Sequence, residues 1–479
     1  MSEQFELMIP GATGSGKMLE VVAPWDLSKI AEVPVVSEKD VDLALETAYR
    51  IFRDRDQWLP IPKRIEVLEK TAQLMKQQAE HLAVEAAREG GKPLPDSQVE
   101  VARAIDGVKN CIEVLRTESG REIPMGLNAA SQNRLAFTRK EPIGVVVAVS
   151  AFNHPLNLIV HQVGPAIAAG CPAIVKPAED TPLSCLRFVK ILREAGLPEA
   201  YCQACVIDDH SVAEKLVTDA RVGFFSFIGS SKVGWMLRSK LAAGARCALE
   251  HGGVAPVIMD VTADLEDTLP LIAKGGFYHA GQVCVSVQRV FAPTAMAEEV
   301  AQRLAKYAQE MKIGDPTLHS TVVGPLIRPR EVERVQSWVE AAVADGAIKL
   351  CGGNALSNTS YDCTVLLDPV KNAQISTQEI FGPVVCVYRY DEVDQAIAQA
   401  NSLPYAFQAS VLTQNLDFGL RCSRRLDAAT VMINDHTAFR VDWMPFAGIR
   451  QSGLGVGGIP YTFEDMQIDK QIVIRSKEL

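Results

Sequence analysis

From Gly144 onward, short apolar runs alternate with helix-length stretches, a pattern that few architectures accept. The runs GVVVAVS, PAIVK, CQACVI, GFFSF, RCALE and PVIMD have strand length, and the segments Leu156–Ala169, Pro182–Ala195 and Ser231–Ala243 among them have helix length. Apolar strands joined through helices predict a parallel sheet covered on both faces, because a parallel connection needs a crossover segment. A second alternation runs from about Val287 to Met432 through VQRVFAP, TVLLDPV, VVCVYRY and AATVMIND. The fold class expected is α/β, with two such domains in tandem. At 479 residues the chain exceeds what one ordinary core organises.

Ahead of the first sheet, Val41, Leu43, Ala44 and Ala48, then Ile65, Leu68, Ala72 and Leu74, keep helical spacing, and Pro60 and Pro62 separate two amphipathic helices. Arg121–Arg139 and Asp469–Ser476 alternate polar and apolar residues with no following helix. They read as strands that extend a sheet or join subunits.

A net charge of −10 and the lack of any Lys/Arg run exclude a nucleic-acid or anionic-membrane surface. The opening MSEQFELMIPG has no basic and apolar leader pattern, and no apolar run approaches the roughly 18 residues that would span a bilayer. A soluble, cytoplasmic protein is expected. Eleven cysteines, an odd number without regular spacing, read as reduced thiols.

Three motifs mislead. GATGSGKM at Gly11–Met18 fits a phosphate-binding loop but puts Met18 where a hydroxyl would hold magnesium, and it leads into the strand-like MLEVVAP instead of a helix. It reads as a Gly-rich turn. Gly453–Gly458 fits G-x-G-x-x-G without a βαβ unit around it and reads as a flexible loop. Cys202 and Cys205 lie within the strand-like CQACVI with no second pair to complete a zinc site, so they read as core thiols and no metal is expected.

The segment FYHAGQVCVSVQR carries more. Cys284 follows the small pair Ala280-Gly281, where a turn can expose sulfur as a nucleophile requires, although a free cysteine by itself is more often simply buried. In LEHGGVAPVIMD, Glu250 ends a strand before two glycines that let a ligand approach the backbone, which suits a general base. In VSAFNHPLN, Asn153 follows an apolar strand, where its amide could donate to an oxyanion or could merely cap a turn before Pro155.

Asn153, Glu250 and Cys284 sit in contexts similar to the three signature segments of the aldehyde dehydrogenase superfamily, and the resemblance spans essentially the whole chain. CPAIVKPAEDTP, FSFIGSSKVG and TQEIFGPVV resemble the family's cofactor-contacting segments. The resemblance implies a Rossmann-like NAD-binding domain from 1–120 and 140–249 and a second α/β catalytic domain from 250–445. It further implies a small β element from 121–139 and 460–479 that joins a homodimer or homotetramer. It implies oxidation of a small-molecule aldehyde through a thioester on Cys284, with Asn153 and the Cys284 N–H holding the oxyanion and Glu250 activating water.

By the same resemblance Ser150, Ala151, Phe152, Lys176, Ala178, Glu179, Gly229, Ser230, Leu249, Glu379 and Phe381 would contact the cofactor. Glu179 should repel a 2′-phosphate, so NAD is expected over NADP. The alternatives are an acylating enzyme that passes the group to coenzyme A and a structural homologue without catalysis. The sequence departs from the family at Asp208 and Asp209 in place of a glycine turn, and at Ile228, Val254 and His279 in place of Thr, Lys and Asn. Near Cys284 the family's pocket wall corresponds to His154, Val283, Val285, Arg440 and Phe446. With Arg103 these residues suggest a small polar or anionic aldehyde, although an arginine among apolar residues is commonly paired within the protein.

Overall fold

The computed structural model describes residues 3–479. Its first sheet has six strands in the spatial order Gly453–Leu454, Arg246–Glu250, Val222–Ile228, Val145–Val149, Ala173–Lys176 and Cys202–Ala204. All but Gly453–Leu454 run parallel. The chain winds outward from Val145–Val149 on one side, then returns to Val222–Ile228 on the other. The crevice between those two strands is therefore the point at which a doubly wound sheet receives ligand.

A second sheet of seven strands centres on Pro256–Met259, Arg289–Pro293 and Val384–Tyr390, with only its edge strand Ile348–Cys351 antiparallel. The α/β reading thus holds for both sheets. Each has its own apolar core, because strands covered on both faces carry apolar residues at successive positions: Val145, Val146, Val147 and Ala148 are all buried. The third sheet is antiparallel, joining Glu122–Ile123, Arg134–Pro142 and Gln467–Arg475 in continuous register from Gln467–Pro142 to Arg475–Arg134.

Several details differ from the sequence reading. The N-terminal region forms three helices, Glu38–Arg53, Ile61–Gln77 and Ala79–Gly90, where two were expected. The extra break lies at Gln78, whose N–H is shared among the Leu74, Met75 and Lys76 carbonyls as the chain leaves helical geometry. The last of the three ends at Gly91, in the left-handed conformation that favours glycine. Helix Ser231–Arg238 stops five residues before Ala243, and the chain turns through Gly244 at φ 89°. Past residue 445 the chain first returns to the six-stranded sheet. There Gly453–Leu454 pairs with Leu249–Glu250, and helix Ile459–Asp465 packs against helices Leu94–Thr117 and Asn157–Ala169.

The expected flexible loop at Gly453–Gly458 is in fact ordered by close backbone approach. A Cβ on Gly453 would lie 2.4 Å from the Leu249 carbonyl, and Gly457 exchanges backbone hydrogen bonds with Phe446. The glycines serve packing against the sheet.

Candidate active site

A cavity of about 960 Å³ opens between the two large sheets, at the carboxyl ends of the six-stranded sheet's parallel strands and against the segments that lead into Pro256–Met259, Arg289–Pro293 and Val384–Tyr390 of the other. Asn153, Glu250 and Cys284 line it. So do Ser150, Ala151, Phe152, Lys176, Ala178, Glu179, Gly229, Ser230, Glu379 and Phe381, and so do Arg103, His154, Val283, Val285, Arg440 and Phe446. Leu249 is the exception. Along strand Arg246–Glu250 successive side chains face opposite sides, so turning Glu250 to the cavity turns Leu249 into the core beneath the sheet, where it is 1 % exposed.

The Cys284 loop is held in an uncommon shape. His279, Ala280 and Gly281 have φ of 48°, 54° and 71°, three successive residues in the left-handed region. Non-glycine residues there cost about 1–2 kcal/mol each, strain that the surroundings must offset. Gln282 braces the turn: its Nε2 donates to the His279 and Pro325 carbonyls at 3.2 Å each, and its Oε1 accepts from Ile327 N–H at 2.9 Å.

Asn153 Nδ2 donates to the Gln282 carbonyl at 2.8 Å, tying the amide to the loop two residues before the sulfur. One N–H of that amide is thereby engaged and the second is available to a ligand. The segment bearing Asn153 is anchored in turn by Glu100, whose Oε1 accepts from the Leu156 and Asn157 N–H groups at 3.0 Å each, at the start of helix Asn157–Ala169. The second Glu100 oxygen pairs with buried Lys92.

Gly281 has two reasons to be glycine, its positive φ and a Cβ position 2.1 Å from the Gly382 carbonyl. Gly281→Ala is expected to destabilise the protein by at least about 2 kcal/mol, read as a lower midpoint in denaturant. An unchanged midpoint would mean that the loop relaxes freely.

The electrostatics of the wall are set by burial. Burial pushes the Cys284 thiol up to about 12, Arg440 opposes that shift, and Glu379 and Glu250 add to it. The Glu250 carboxyl is raised by burial and lowered by Arg440. Glu379 is pushed up to about 8 by burial despite a backbone hydrogen bond from Gly253. Both carboxyls lie over glycines, since a Cβ on Gly457 would fall 2.1 Å from Glu250 Oε1 and one on Gly252 would fall 1.9 Å from Glu379 Oε1.

Polar groups left unpartnered show where a ligand fits. Glu379 Oε1 and Ser150 Oγ are buried and bonded to nothing. Gly229 and Ser230 lead into helix Ser231–Arg238 beside the switch point, and Ser230 makes no side-chain cap. Lys176 Nζ stands 3.5 Å from Glu179 Oε1. A dinucleotide with ribose hydroxyls and a diphosphate matches this set of donors and acceptors. Asp208 and Asp209 do not intrude. Asp208 pairs with Lys17 at 3.7 Å, and Asp209 caps the helix that begins at His210, accepting from Ser211 N–H at 2.8 Å.

At the other end of the cavity, the cationic role expected of three residues narrows to one. Arg103 donates to both Asp442 oxygens, at 3.1 and 2.7 Å. His154 is held well below the usual imidazole range by burial and shares a 3.3 Å hydrogen bond with the Tyr278 hydroxyl. Arg440 remains. Its guanidinium lies 3.5 Å over the Phe446 ring, its Nε is buried without a partner, and among the described residues it forms no ion pair. Lining residues that the sequence reading missed include His210, Lys274, Tyr278 and Phe439. Lys274 and Tyr278 lie one helical turn apart just before the Cys284 loop, a spacing that could have drawn notice.

The model of the "Aldehyde dehydrogenase family" matches residues 12–472. The chain belongs to that family. It is 35% identical over 474 residues to a 3-sulfolactaldehyde dehydrogenase from Priestia aryabhattai, covering 98% of each chain. Among solved structures it resembles aldehyde dehydrogenase 21 from Physcomitrella patens in complex with the reaction product succinate. That match has 32% identity, a TM-score of 0.94 and coverage of 98% of each chain. It also resembles a glyceraldehyde-3-phosphate dehydrogenase from Methanocaldococcus jannaschii complexed with NADP, with 33% identity, a TM-score of 0.91 and coverage of 96% of this chain and 100% of that one. NAD(P)-dependent oxidation of an aldehyde is the activity of this aldehyde dehydrogenase. Among the described residues no helix is long and apolar enough to cross a membrane, and no cluster of side chains could hold a metal ion.

Proposed function

We propose that the enzyme oxidises a small anionic aldehyde to its carboxylic acid, with Cys284 as nucleophile. The observation that carries this reading is Arg440, a cation without an ion-pair partner on a wall whose two carboxyls, Glu250 and Glu379, are biased by burial toward their neutral forms. A half-buried guanidinium without a counter-ion favours an anionic ligand. Likeness to a 3-sulfolactaldehyde dehydrogenase and to an enzyme complexed with succinate supports the same substrate class.

In this mechanism Cys284 releases its proton to solvent water and its Sγ attacks the aldehyde carbon as the thiolate. The developing oxyanion is met by the free N–H of the Asn153 amide and by the Cys284 backbone N–H. Bound NAD(P) supplies the acceptor for the hydride that leaves the tetrahedral carbon. Glu250 then takes a proton from the water that opens the thioester, releasing the acid and the thiol. Lys176 and Glu179 would hold the adenosine ribose, Gly229 and Ser230 the diphosphate, and Glu379 the nicotinamide ribose beside Phe381. The Glu179 carboxylate favours NAD over NADP, and NADP is the second cofactor of this reading.

Arg440→Met is expected to raise KM for acidic aldehydes about 10- to 100-fold, the equivalent of losing a charge-assisted contact. NADH formation at 340 nm over a panel of acidic and neutral aldehydes measures it. An unchanged KM for the acidic members would overturn the substrate class.

The reading also includes a cytoplasmic location, in keeping with eleven free cysteines. It includes a homodimer or homotetramer joined through the three-stranded sheet, whose Val473 and Ile474 are exposed in the single chain.

A further inference from the structure

We propose that His161 and Asp442 are positioning residues that fix the Arg440 guanidinium, and through it set the preference for acidic over neutral aldehydes. This rests on the reading of Arg440 as the anion-binding group. Neither His161 nor Asp442 lines the cavity: His161 meets its wall through Arg440, and Asp442 meets it through His161 as well as through Arg103 and Asn157.

Asp442 is a hub. It is 2 % exposed and accepts from four donors: Arg103 Nε at 3.1 Å and Nη2 at 2.7 Å, His161 Nε2 at 2.7 Å and Asn157 Nδ2 at 3.2 Å. Its charge is matched by Arg103, and these bonds occupy both of its oxygens. With Nε2 of His161 donating to Asp442, a neutral ring has its lone pair on Nδ1, which faces Arg440 Nη2 at 3.3 Å. Burial and the Arg440 charge hold the imidazole down at about 4, so the ring is neutral at physiological pH and can accept. An imidazolium would present an N–H to the guanidinium instead. The chain Asp442–His161–Arg440 therefore fixes the tautomer at one end and one edge of the guanidinium at the other, while Phe446 covers a face.

The arrangement leaves Arg440 with geometry but without neutralisation. Had Asp442 met Arg440 directly, the pair would have cancelled the charge that an anionic substrate needs. Interposing a neutral histidine orients the guanidinium and preserves its charge. The helix supporting His161 suits this task, since all residues of Asn157–Ala169 are buried and the imidazole has no freedom to swing away.

The test compares kcat/KM for succinate semialdehyde with that for butanal in two histidine variants, with Arg440→Met in parallel. His161→Gln places an amide near the Nε2 position, within reach of Asp442, but no acceptor at Nδ1. His161→Asn places a carbonyl oxygen near Nδ1, where it can receive Arg440. His161→Gln is expected to lower the acidic-to-neutral ratio about tenfold, through KM for the acid, and His161→Asn to keep it within about twofold of the parent. The ratio does not depend on the fraction of folded enzyme, so a poorly folding variant still reports. Equal losses on both aldehydes, or an equal fall in ratio for the Asn and Gln variants, would overturn the positioning role. If Arg440→Met lowers the ratio while His161→Gln leaves it unchanged, the positioning role falls and the Arg440 reading stands. If Arg440→Met itself leaves the ratio unchanged, both fall.

Discussion

Cys284→Ala is expected to lower aldehyde-dependent NADH formation by at least about 10⁴-fold, since covalent catalysis has no second route once its nucleophile is gone. The change removes one sulfur from a cavity wall and leaves the braced Gln282 turn intact, so the melting temperature should hold. A residual rate above about a tenth of the parent would remove Cys284 from the mechanism. A second readout uses the thiol itself. Its pKa is pushed up to about 12, above any ordinary assay pH, so the thiolate fraction of the cofactor-free enzyme rises tenfold for each pH unit below that value. Alkylation by iodoacetamide should accelerate by the same factor between pH 7 and pH 9, roughly one hundredfold in all. Nine of the eleven cysteines are buried and only Cys247 and Cys284 are partly open, so peptide mapping can assign the label. Because Arg440 pulls the thiol down, Arg440→Met should slow the labelling further at every pH.

The residues on which this prediction rests were legible because their signals are local. A cysteine after a small-residue turn, a carboxylate ending a strand before two glycines, and an asparagine after an apolar strand each show within a dozen residues of sequence. The doubly wound sheets were legible too, because strands buried on both faces must be apolar throughout. What escaped was non-local. Arg103 and Asp442 are 339 positions apart, and nothing in either segment announces the pair that matches the charge of Arg103 within the protein. His161 sits in NLIVHQVGPAIAA, which reads as an apolar core helix, and its role appears only when the late loop folds over it.

Strand parity explains why the Leu249 side chain does not line the cavity. Placing Glu250 in the cavity already implied that its neighbour faced away, a constraint of the two-residue period that family resemblance does not carry. The glycines at 453–458 mislead for a related reason. Without knowledge of the neighbouring backbone, a glycine chosen for close approach looks the same as one chosen for flexibility.

Glu250→Gln should separate the two halves of the reaction. Gln matches Glu in shape, so it fits over Gly457 as the carboxyl does, yet it cannot take a proton from water. The expected course is a burst of NADH near one per active site, then a steady rate lower by about 10²- to 10⁴-fold, the usual contribution of a general base. Hydroxylamine, which needs no such base, should restore turnover by opening the accumulated thioester, and release of an acyl-hydroxamate would identify it. Coenzyme A should not restore it, whereas efficient transfer to coenzyme A by the parent enzyme would favour the acylating alternative. Loss of the burst together with the steady rate would move Glu250 to the attack step. The pH dependence follows from the same carboxyl. Burial raises it, so the active base form is gained only above the ordinary carboxylate range, and the acid limb of kcat should lie correspondingly high. Arg440 pulls that limb down, so in Arg440→Met it should move to higher pH. A limb that stays in place would mean that the titrating group is not Glu250.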